Sequence, residues 1–129
     1  MFQSVTIVGS AGADALLRYT PSGTAVASFS VAANRQYKGA DGQQVKETVW
    51  LKVATFGKLG EICGQYVKKG NTVLVVGRLS ADPATGGPKV FQKKDGSWGA
   101  SYEIIADTVR FLSSHKSQDE SKEEDTPEF

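Results

Sequence analysis

Hydrophobic and polar residues alternate along five stretches of the chain, and alternation with a period of two predicts β-strands. The predicted strands cover residues 3–9, 24–35, 44–57, 71–80 and 98–112, and the first can continue through residues 11–19 after a bulge around Gly12. The alternation also predicts which side chains face a core. The inward residues of the second, third and fourth strands are Ala27, Phe29, Val31, Val49, Leu51, Val53, Thr55, Val73, Val75, Gly77 and Leu79.

Between the third and fourth strands the period changes. Apolar residues recur at spacings of three and four from Leu59 to Val67, which predicts one short helix over residues 58–69. Lys68 and Lys69 suit the negative end of the helix dipole, and Gly70 would end the helix. Tyr66 lies on the apolar stripe, so we expect it in the core, and we expect Phe111 of the last strand there as well.

Polar segments connect these elements. Residues 20–23 read Thr-Pro-Ser-Gly, a turn, and residues 37–43 form a loop whose Asp-Gly turn makes a hairpin of the second and third strands. Residues 82–96 are a long excursion rich in Gly, Pro and Lys. Three strands, a helix and two strands is the order of the oligonucleotide-binding barrel. A generic antiparallel sandwich is the alternative, but it needs no helix at this place.

The sequence therefore predicts an all-β fold in two parts. Residues 1–112 form a five-stranded oligonucleotide-binding (OB) barrel with one short helix between strands three and four, and residues 113–129 form a flexible acidic tail. The first part has 13 Lys or Arg against 8 Asp or Glu, a net charge of +5, whereas the tail has a net charge of −4. A basic body with an acidic tail indicates a protein that handles nucleic acid, although a tail that only aids solubility is the alternative.

Other features narrow the functional class. No apolar run reaches membrane-spanning length, and the N-terminus begins as a strand without the marks of a signal peptide, so we expect a cytoplasmic protein with no membrane partner. Cys63 is the single cysteine, which excludes a disulfide framework and a Cys-x-x-Cys zinc site. His115, the single histidine, lies in the tail, and the acidic residues of the body are scattered. We expect no enzyme, no cofactor and no metal site.

The third strand carries the candidate binding chemistry. Trp50, Lys52 and Phe56 lie on its non-core face. Aromatic rings there can stack on unpaired bases while an ammonium group neutralises a phosphate. The alternative is that these rings belong to a second buried face, as in a sandwich or a subunit interface. The strand alone leaves both interpretations open.

Several segments, taken in order, resemble the bacterial single-stranded DNA-binding proteins. The matching segments are Val-Gly at 8–9, Arg-Tyr-Thr-Pro-Ser-Gly at 18–23, Trp-Leu-Lys-Val at 50–53, Phe-Gly-Lys-Leu at 56–59, Tyr-Val-Lys-Lys-Gly at 66–70, Val-Val-Gly-Arg-Leu at 75–79 and Tyr-Glu-Ile-Ile-Ala-Asp at 102–107. The resemblance implies an OB barrel, usually a homotetramer, that coats single-stranded DNA without sequence preference during replication, recombination and repair. A nucleoid-associated place in the cytoplasm follows from that role.

The resemblance also implies binding residues. Trp50 and Phe56 match the stacking aromatics of the third strand, with Lys52 between them, and Tyr37 lies near a further aromatic position. Phe91 is the expected aromatic of the excursion, and Trp98 is its rival, with a subunit contact as the alternative role of Trp98. The expected phosphate contacts are Arg35, Lys38, Lys58, Lys89, Lys93 and Lys94.

The tail departs from the pattern of the family. The family tip has several aspartates followed by Ile-Pro-Phe and recruits replication and repair proteins, whereas this tail ends Glu-Glu-Asp-Thr-Pro-Glu-Phe. We expect Asp125, Pro127 and Phe129 to bind partner proteins, with a short reach because the usual long linker is absent.

Two rival functions stay open. The first is a related OB barrel that works as a replication accessory or an RNA-binding module. The second is a structural oligomer whose aromatic face is an interface. Leu74 and Val76, opposite the core side of the fourth strand, also suggest a subunit interface.

Overall fold

The computed structural model describes residues 1–113, which form seven strands and one helix. The elements are β1 (Val5–Ala11), β2 (Leu16–Tyr19), β3 (Ala25–Lys38), β4 (Gln44–Phe56), α1 (Gly57–Tyr66), β5 (Thr72–Ser80), β6 (Lys89–Gln92) and β7 (Trp98–Ser113). Among these residues, no helix has the length and apolar character needed to cross a membrane.

Five strands close into a barrel in the order β1, β5, β7, β4, β3. The closing contact is short, since β1 meets β3 only at Ser10 with Ala32 and at Ala11 with Val31. All of the barrel pairings are antiparallel except that of β4 with β7, which is parallel. The helix lies between the third and fourth barrel strands, so the predicted OB barrel is confirmed and the sandwich alternative is excluded.

The alternation of side chains along the strands builds the core. Ala27, Phe29 and Val31 of β3 are buried, and they meet buried residues from β4, β5 and β7. Because successive side chains of a strand point to opposite faces, the residues between them form the outer surface of the barrel. The predicted inward positions Leu51, Val53, Thr55, Val73, Val75 and Gly77 are confirmed as buried.

Two predicted core positions are wrong. Val49 and Leu79 have the inward parity of their strands, yet both side chains are exposed. Both lie where a strand runs past the end of the buried core: Leu51 is buried two residues after Val49, and Gly77 is buried two residues before Leu79. An inward direction buries a side chain only where an opposite wall of the barrel exists to cover it.

The helix is shorter than predicted. It ends at Tyr66 instead of residue 69, and its last turn contains no basic residue. Cys63 and Val67 are fully buried. Lys68 and Lys69 follow the helix, and their main-chain N–H groups donate to side-chain oxygens of Asn71 (2.7 Å) and Asp14 (2.9 Å). These side-chain hydrogen bonds therefore satisfy N–H groups that the longer predicted helix would have bonded to its own carbonyl oxygens.

The aromatic residues at this end of the barrel were also predicted wrongly. Tyr66 is 57% exposed, and Phe111 is exposed as well. Their rings meet edge to face, with 6.5 Å between centroids. Tyr66 lies between Cys63 and Val67, which are both fully buried, so its side chain leaves the core although its spacing is that of the apolar stripe.

Three connections differ from the sequence prediction. Residues 16–19 form a separate short strand, β2, that pairs with β3. The strand β3 continues through Lys38, so Tyr37 and Lys38 belong to the hairpin arm and not to its loop. The excursion contains the unpredicted strand β6, which pairs with the start of β7 and extends the sheet beyond the barrel.

Candidate nucleic-acid interface

The outer face of β4 presents two aromatic rings and a cation to solvent. Trp50 is 55% exposed, Phe56 is 47% exposed, and Lys52 between them is exposed too. The intervening residues Leu51, Val53 and Thr55 are buried, so strict alternation is what turns the rings outward. The barrel of this single chain therefore does not use these rings as core.

Small side chains lie opposite Trp50 and Lys52 on the neighbouring strand, whereas Phe56 lies opposite Val26. In the register of β3 with β4, Trp50 lies opposite Ala32, Lys52 opposite Ser30, and Ala54 opposite Ser28. Because Ala32, Ser30 and Ser28 are short, the Trp50 ring projects above the neighbouring surface of β3. An elongated ligand can therefore lie across this surface and reach the ring.

The indole of Trp50 is held against the main chain of Gly12. An ideal Cβ built on Gly12 would lie 2.8 Å from Cζ3 and 3.1 Å from Cη2 of the indole. The Gly12 N–H in turn donates to the carbonyl oxygen of Ser30, at 2.9 Å. Part of the indole surface is thus covered by backbone, and the rest is open.

The hairpin of β6 and β7 adds a further ring to the same face. Phe91 pairs with Gly99, Lys89 pairs with Ser101, and two residues farther along β7 Glu103 is the partner of Lys52. Alternation therefore places Phe91, Lys89 and Lys52 on one face of the sheet. Phe91 is 47% exposed.

Trp98 lies on the opposite face of this hairpin. It pairs with Gln92 and has the same parity as Tyr102, whose partner in β4 is the buried residue Leu51. Both aromatic side chains are exposed. The structure thus brings Phe91 to the face that carries Trp50 and leaves Trp98 away from it.

One carboxylate lies among the lysines of the outer face. The Glu103 Oε1 is 3.2 Å from the Lys89 Nζ, and the Glu103 side chain is largely covered. On the other side Glu103 is the register partner of Lys52, for which residues 1–113 supply no ion pair. The charge of Lys89 is therefore partly compensated, whereas that of Lys52 is available to an anion.

The hairpin arm formed by β3 and β4 carries three of the predicted binding residues, and they lie on different faces of it. Arg35 and Tyr37 have the parity of the core residues of β3, so they lie on the reverse of the Trp50 face. The Arg35 guanidinium carbon is 4.7 Å from the centre of the Tyr37 ring, and Glu47 holds the pair at 3.5 Å from both Arg35 Nη1 and Tyr37 Oη. Lys38 has the parity of the Trp50 face, at the tip of the arm.

Three lysines lie at the ends of elements. Lys58 is exposed in the first turn of α1, two residues after Phe56. Lys93 and Lys94 are exposed in the turn between β6 and β7. In that turn the hydroxyl and N–H of Ser97 donate to the Asp95 carboxylate at 2.7 and 3.0 Å, and these hydrogen bonds lower the pKa of Asp95.

Two other predictions concern metal ligands and the single cysteine. Residues 1–113 contain no cluster of three or more His, Cys, Asp or Glu side chains that could hold a metal ion. Cys63 is fully buried, and burial raises the pKa of its thiol, which disfavours the reactive thiolate. The tail residues Asp125, Pro127 and Phe129 lie outside the described residues, as does His115.

Several residues of this surface were not found from the sequence. Gly12 and Gly99 lie beneath rings, and Glu103 lies between two lysines. Arg78 is exposed on the outer face as well, opposite Ile105. Each of these placements depends on the register between strands that are distant in sequence. The sequence pattern of β5 and β7 predicts only which of their side chains share a face.

Comparisons with known proteins concern the family and the fold of the chain, not the placement of single side chains. The model of the single-strand binding protein family matches residues 2–112. A single-stranded DNA-binding protein of Helicobacter hepaticus is 35% identical over 120 residues, which cover 93% of this chain and 66% of that protein. One of Neisseria meningitidis is 37% identical over 108 residues, covering 84% of this chain and 58% of that protein. The chain thus spans about two thirds or less of the length of these relatives.

A solved structure supports the fold assignment. The crystal structure of a deletion mutant of the single-stranded DNA binding protein from Thermus aquaticus superposes with a TM-score of 0.66 at 25% sequence identity. The match covers 87% of this chain and 51% of that one.

Proposed function

The chain belongs to the single-strand binding protein family, and from this premise we propose that it binds single-stranded DNA without sequence preference and without catalysis. The observation that carries the proposal is one sheet face on which Trp50, Phe56 and Phe91 are exposed beside Lys52. The fold leaves these rings uncovered although each would gain free energy by burial. A ligand with its own flat rings and anionic backbone satisfies both features.

The mechanism follows from what single strands expose. Stacking of one base on an aromatic side chain stabilises the complex by about 1–3 kcal/mol and works for every base. Lysines neutralise phosphates and release counterions, so the affinity falls with salt. A duplex hides the faces of its bases, and only the charge contribution remains for it. Preference for unpaired strands therefore comes from the rings.

A titration of the full chain tests this function. We expect oligo(dT) to quench the tryptophan fluorescence and to bind more tightly than a duplex of equal length at the same salt concentration. The logarithm of the affinity should fall with the logarithm of salt concentration by about 0.7 per neutralised phosphate. Oligo(U) as a competitor separates DNA coating from RNA binding. A flat titration, or equal affinity for duplex and single strand, contradicts the proposal.

We propose further that the chain assembles as a homotetramer. Val8 is exposed on the outer face of β1, and its partner in β5 is Leu74, which is half-buried next to the half-buried Val76. Such an apolar outer strip supports contact between copies. Sedimentation of the full chain with and without an oligonucleotide of about 35 nucleotides, roughly nine per barrel, measures the assembly. A monomeric mass in both samples contradicts it.

For the acidic tail we propose recruitment of replication, recombination and repair proteins at the nucleoid, in the cytoplasm. The acidic run, Pro127 and Phe129 support this role. Removal of Phe129 should abolish the capture of such partners by the full chain. Removal of residues 113–129 should leave the affinity for oligo(dT) unchanged or higher, since the acidic residues compete with phosphate for the basic surface. A clear loss of DNA affinity contradicts this account of the tail.

A further inference from the structure

Two of the three exposed rings on the outer face lie against glycines. A Cβ on Gly12 would meet two atoms of the Trp50 indole, at 2.8 and 3.1 Å, and the next nearest atom is 4.0 Å away. A Cβ on Gly99 would meet two atoms of the Phe91 ring, at 2.9 and 3.2 Å, and the Lys93 Cε at 3.0 Å. Contacts below 3.0 Å are closer than a real Cβ tolerates, so a side chain at either position displaces the ring.

The backbone does not explain these two glycines. Neither is among the glycines with positive φ in residues 1–113, so alanine is allowed at both by backbone conformation. Barrel closure does not explain them either. Gly9 and Gly77 are the contrasting case, since a Cβ there would meet the main chain of a neighbouring strand. At Gly12 and Gly99 the nearest atoms belong to rings.

The two glycines come from different parts of the fold. Gly12 follows β1 at the seam where the barrel closes, whereas Gly99 lies in the hairpin that extends beyond the barrel. Both nevertheless face the same outer surface, one beneath the ring from β4 and the other beneath the ring from β6. Because the same packing of a ring on a glycine occurs at two unrelated places in the fold, a common role on the outer surface explains it better than the local folding of either segment.

We infer that Gly12 and Gly99 are positioning residues for base stacking, each of which holds a ring close to the main chain so that its uncovered part faces the nucleic acid. The inference rests on the proposed function, because it concerns the orientation of rings that contact bases. Backbone support on one side restricts the rotation of the ring before binding. A ring already held in place loses less conformational freedom when a base stacks on it.

The test is a double-mutant cycle in the full chain. Gly12→Ala should weaken the binding of oligo(dT) by about five- to tenfold, the lower end of the cost of losing one stacked base. In the Trp50→Ala background the same substitution should change the affinity less than about twofold, because no ring is left to displace. In the Trp50→Phe background it should also be nearly harmless, since a phenyl ring lacks the indole atoms that Gly12 contacts. Gly99→Ala with and without Phe91→Ala repeats the cycle at the second ring.

Controls separate positioning from stability. Gly87→Ala is the matched substitution, because its Cβ would meet only the Thr85 Oγ1, at 3.6 Å, and it should leave binding unchanged. In the Trp98→Phe background Trp50 is the single tryptophan, and Gly12→Ala should make its emission more accessible to acrylamide. If Gly12→Ala alone prevents folding, the melting temperature of the double variant Gly12→Ala/Trp50→Ala is measured. A folded double variant supports the inference, because removal of the ring removes the clash, and an unfolded double variant overturns it.

The outcomes distinguish the inference from the proposed function. If the unaltered chain does not bind oligo(dT), the proposed function fails. If it binds, and Trp50→Ala weakens binding, but Gly12→Ala has the same effect in both backgrounds, the function stands and the inference about Gly12 is wrong. Equal effects of Gly99→Ala with and without Phe91→Ala would overturn it at the second ring.

Discussion

The two tryptophans offer the sharpest prediction, because they lie on opposite faces of the extended sheet. Trp50 shares its face with Lys52 and Phe91, whereas Trp98 shares the reverse face with Tyr102. A strand that follows the outer face therefore contacts only one of them. We expect Trp50→Ala to weaken the binding of oligo(dT) and Trp98→Ala to leave it nearly unchanged.

The magnitude follows from the geometry of the indole. Trp50 is 55% exposed, and the main chain of Gly12 covers part of the remainder, so the ring has room for one base. Loss of one stacked base costs about 1–3 kcal/mol, or roughly 5- to 150-fold in Kd. For Trp98→Ala we expect a change below about twofold, which is roughly 0.4 kcal/mol.

The assay is the anisotropy of a labelled oligo(dT) titrated with each full-length variant, with urea unfolding as the control for stability. Single-tryptophan variants give an independent measure. Trp98→Phe leaves Trp50 as the reporter, and oligo(dT) should quench it strongly. Trp50→Phe leaves Trp98, and its emission should change little. An equal or larger loss of affinity in Trp98→Ala would show that the strand follows the reverse face, and unfolding of Trp50→Ala would show that the indole is part of the core.

The charges and the interior give three further predictions. Lys52→Ala should reduce the salt dependence of binding by about 0.7 in slope, whereas Lys89→Ala should reduce it less, because Glu103 already compensates that ammonium at 3.2 Å; equal changes in slope would refute this difference. Thr55→Val should lower the free energy of unfolding by about 1 kcal/mol in urea, since the buried hydroxyl donates to a main-chain oxygen at 3.1 Å, with DNA affinity unaltered; an unchanged unfolding free energy would refute it. The raised pKa of buried Cys63 keeps its thiol protonated in the native state. The thiol should therefore react with Ellman's reagent only on unfolding, and rapid labelling of the native protein at neutral pH would refute this. The contribution of the protonated thiol to the free energy of unfolding is complete below the pKa of an unfolded cysteine. It is lost as the pH rises from that value through the higher pKa of the native state.

Much of the barrel could be predicted from alternation, because a buried sheet imposes the period of two directly on the sequence. Leu51, Val53 and Thr55 are buried as predicted, and the rings between them are exposed. Alternation gives only the direction of a side chain, however. It could not show that Val49 lies beyond the opposite wall.

The site was predicted less completely than the fold. Parity along β3 would have placed Arg35 on the face of Phe29 and Val31, away from Trp50, so that separation was available in the sequence. The positions of Glu103 and Gly99 were not, since they depend on which strands pair and in which register. The strand β6 has only four residues, too few for alternation to predict it without the partner segment that follows.

The closing contact between β1 and β3 has a consequence for local motion. Only two residue pairs join these strands, against thirteen between β3 and β4, so amide protons near this junction should exchange with solvent before those of the rest of the barrel. Gly12 and the indole of Trp50 lie directly beside the junction. A bound strand that stacks on this indole should therefore slow amide exchange most at the junction of β1 and β3. The part of the barrel that opens most readily in the free protein would become protected in the complex.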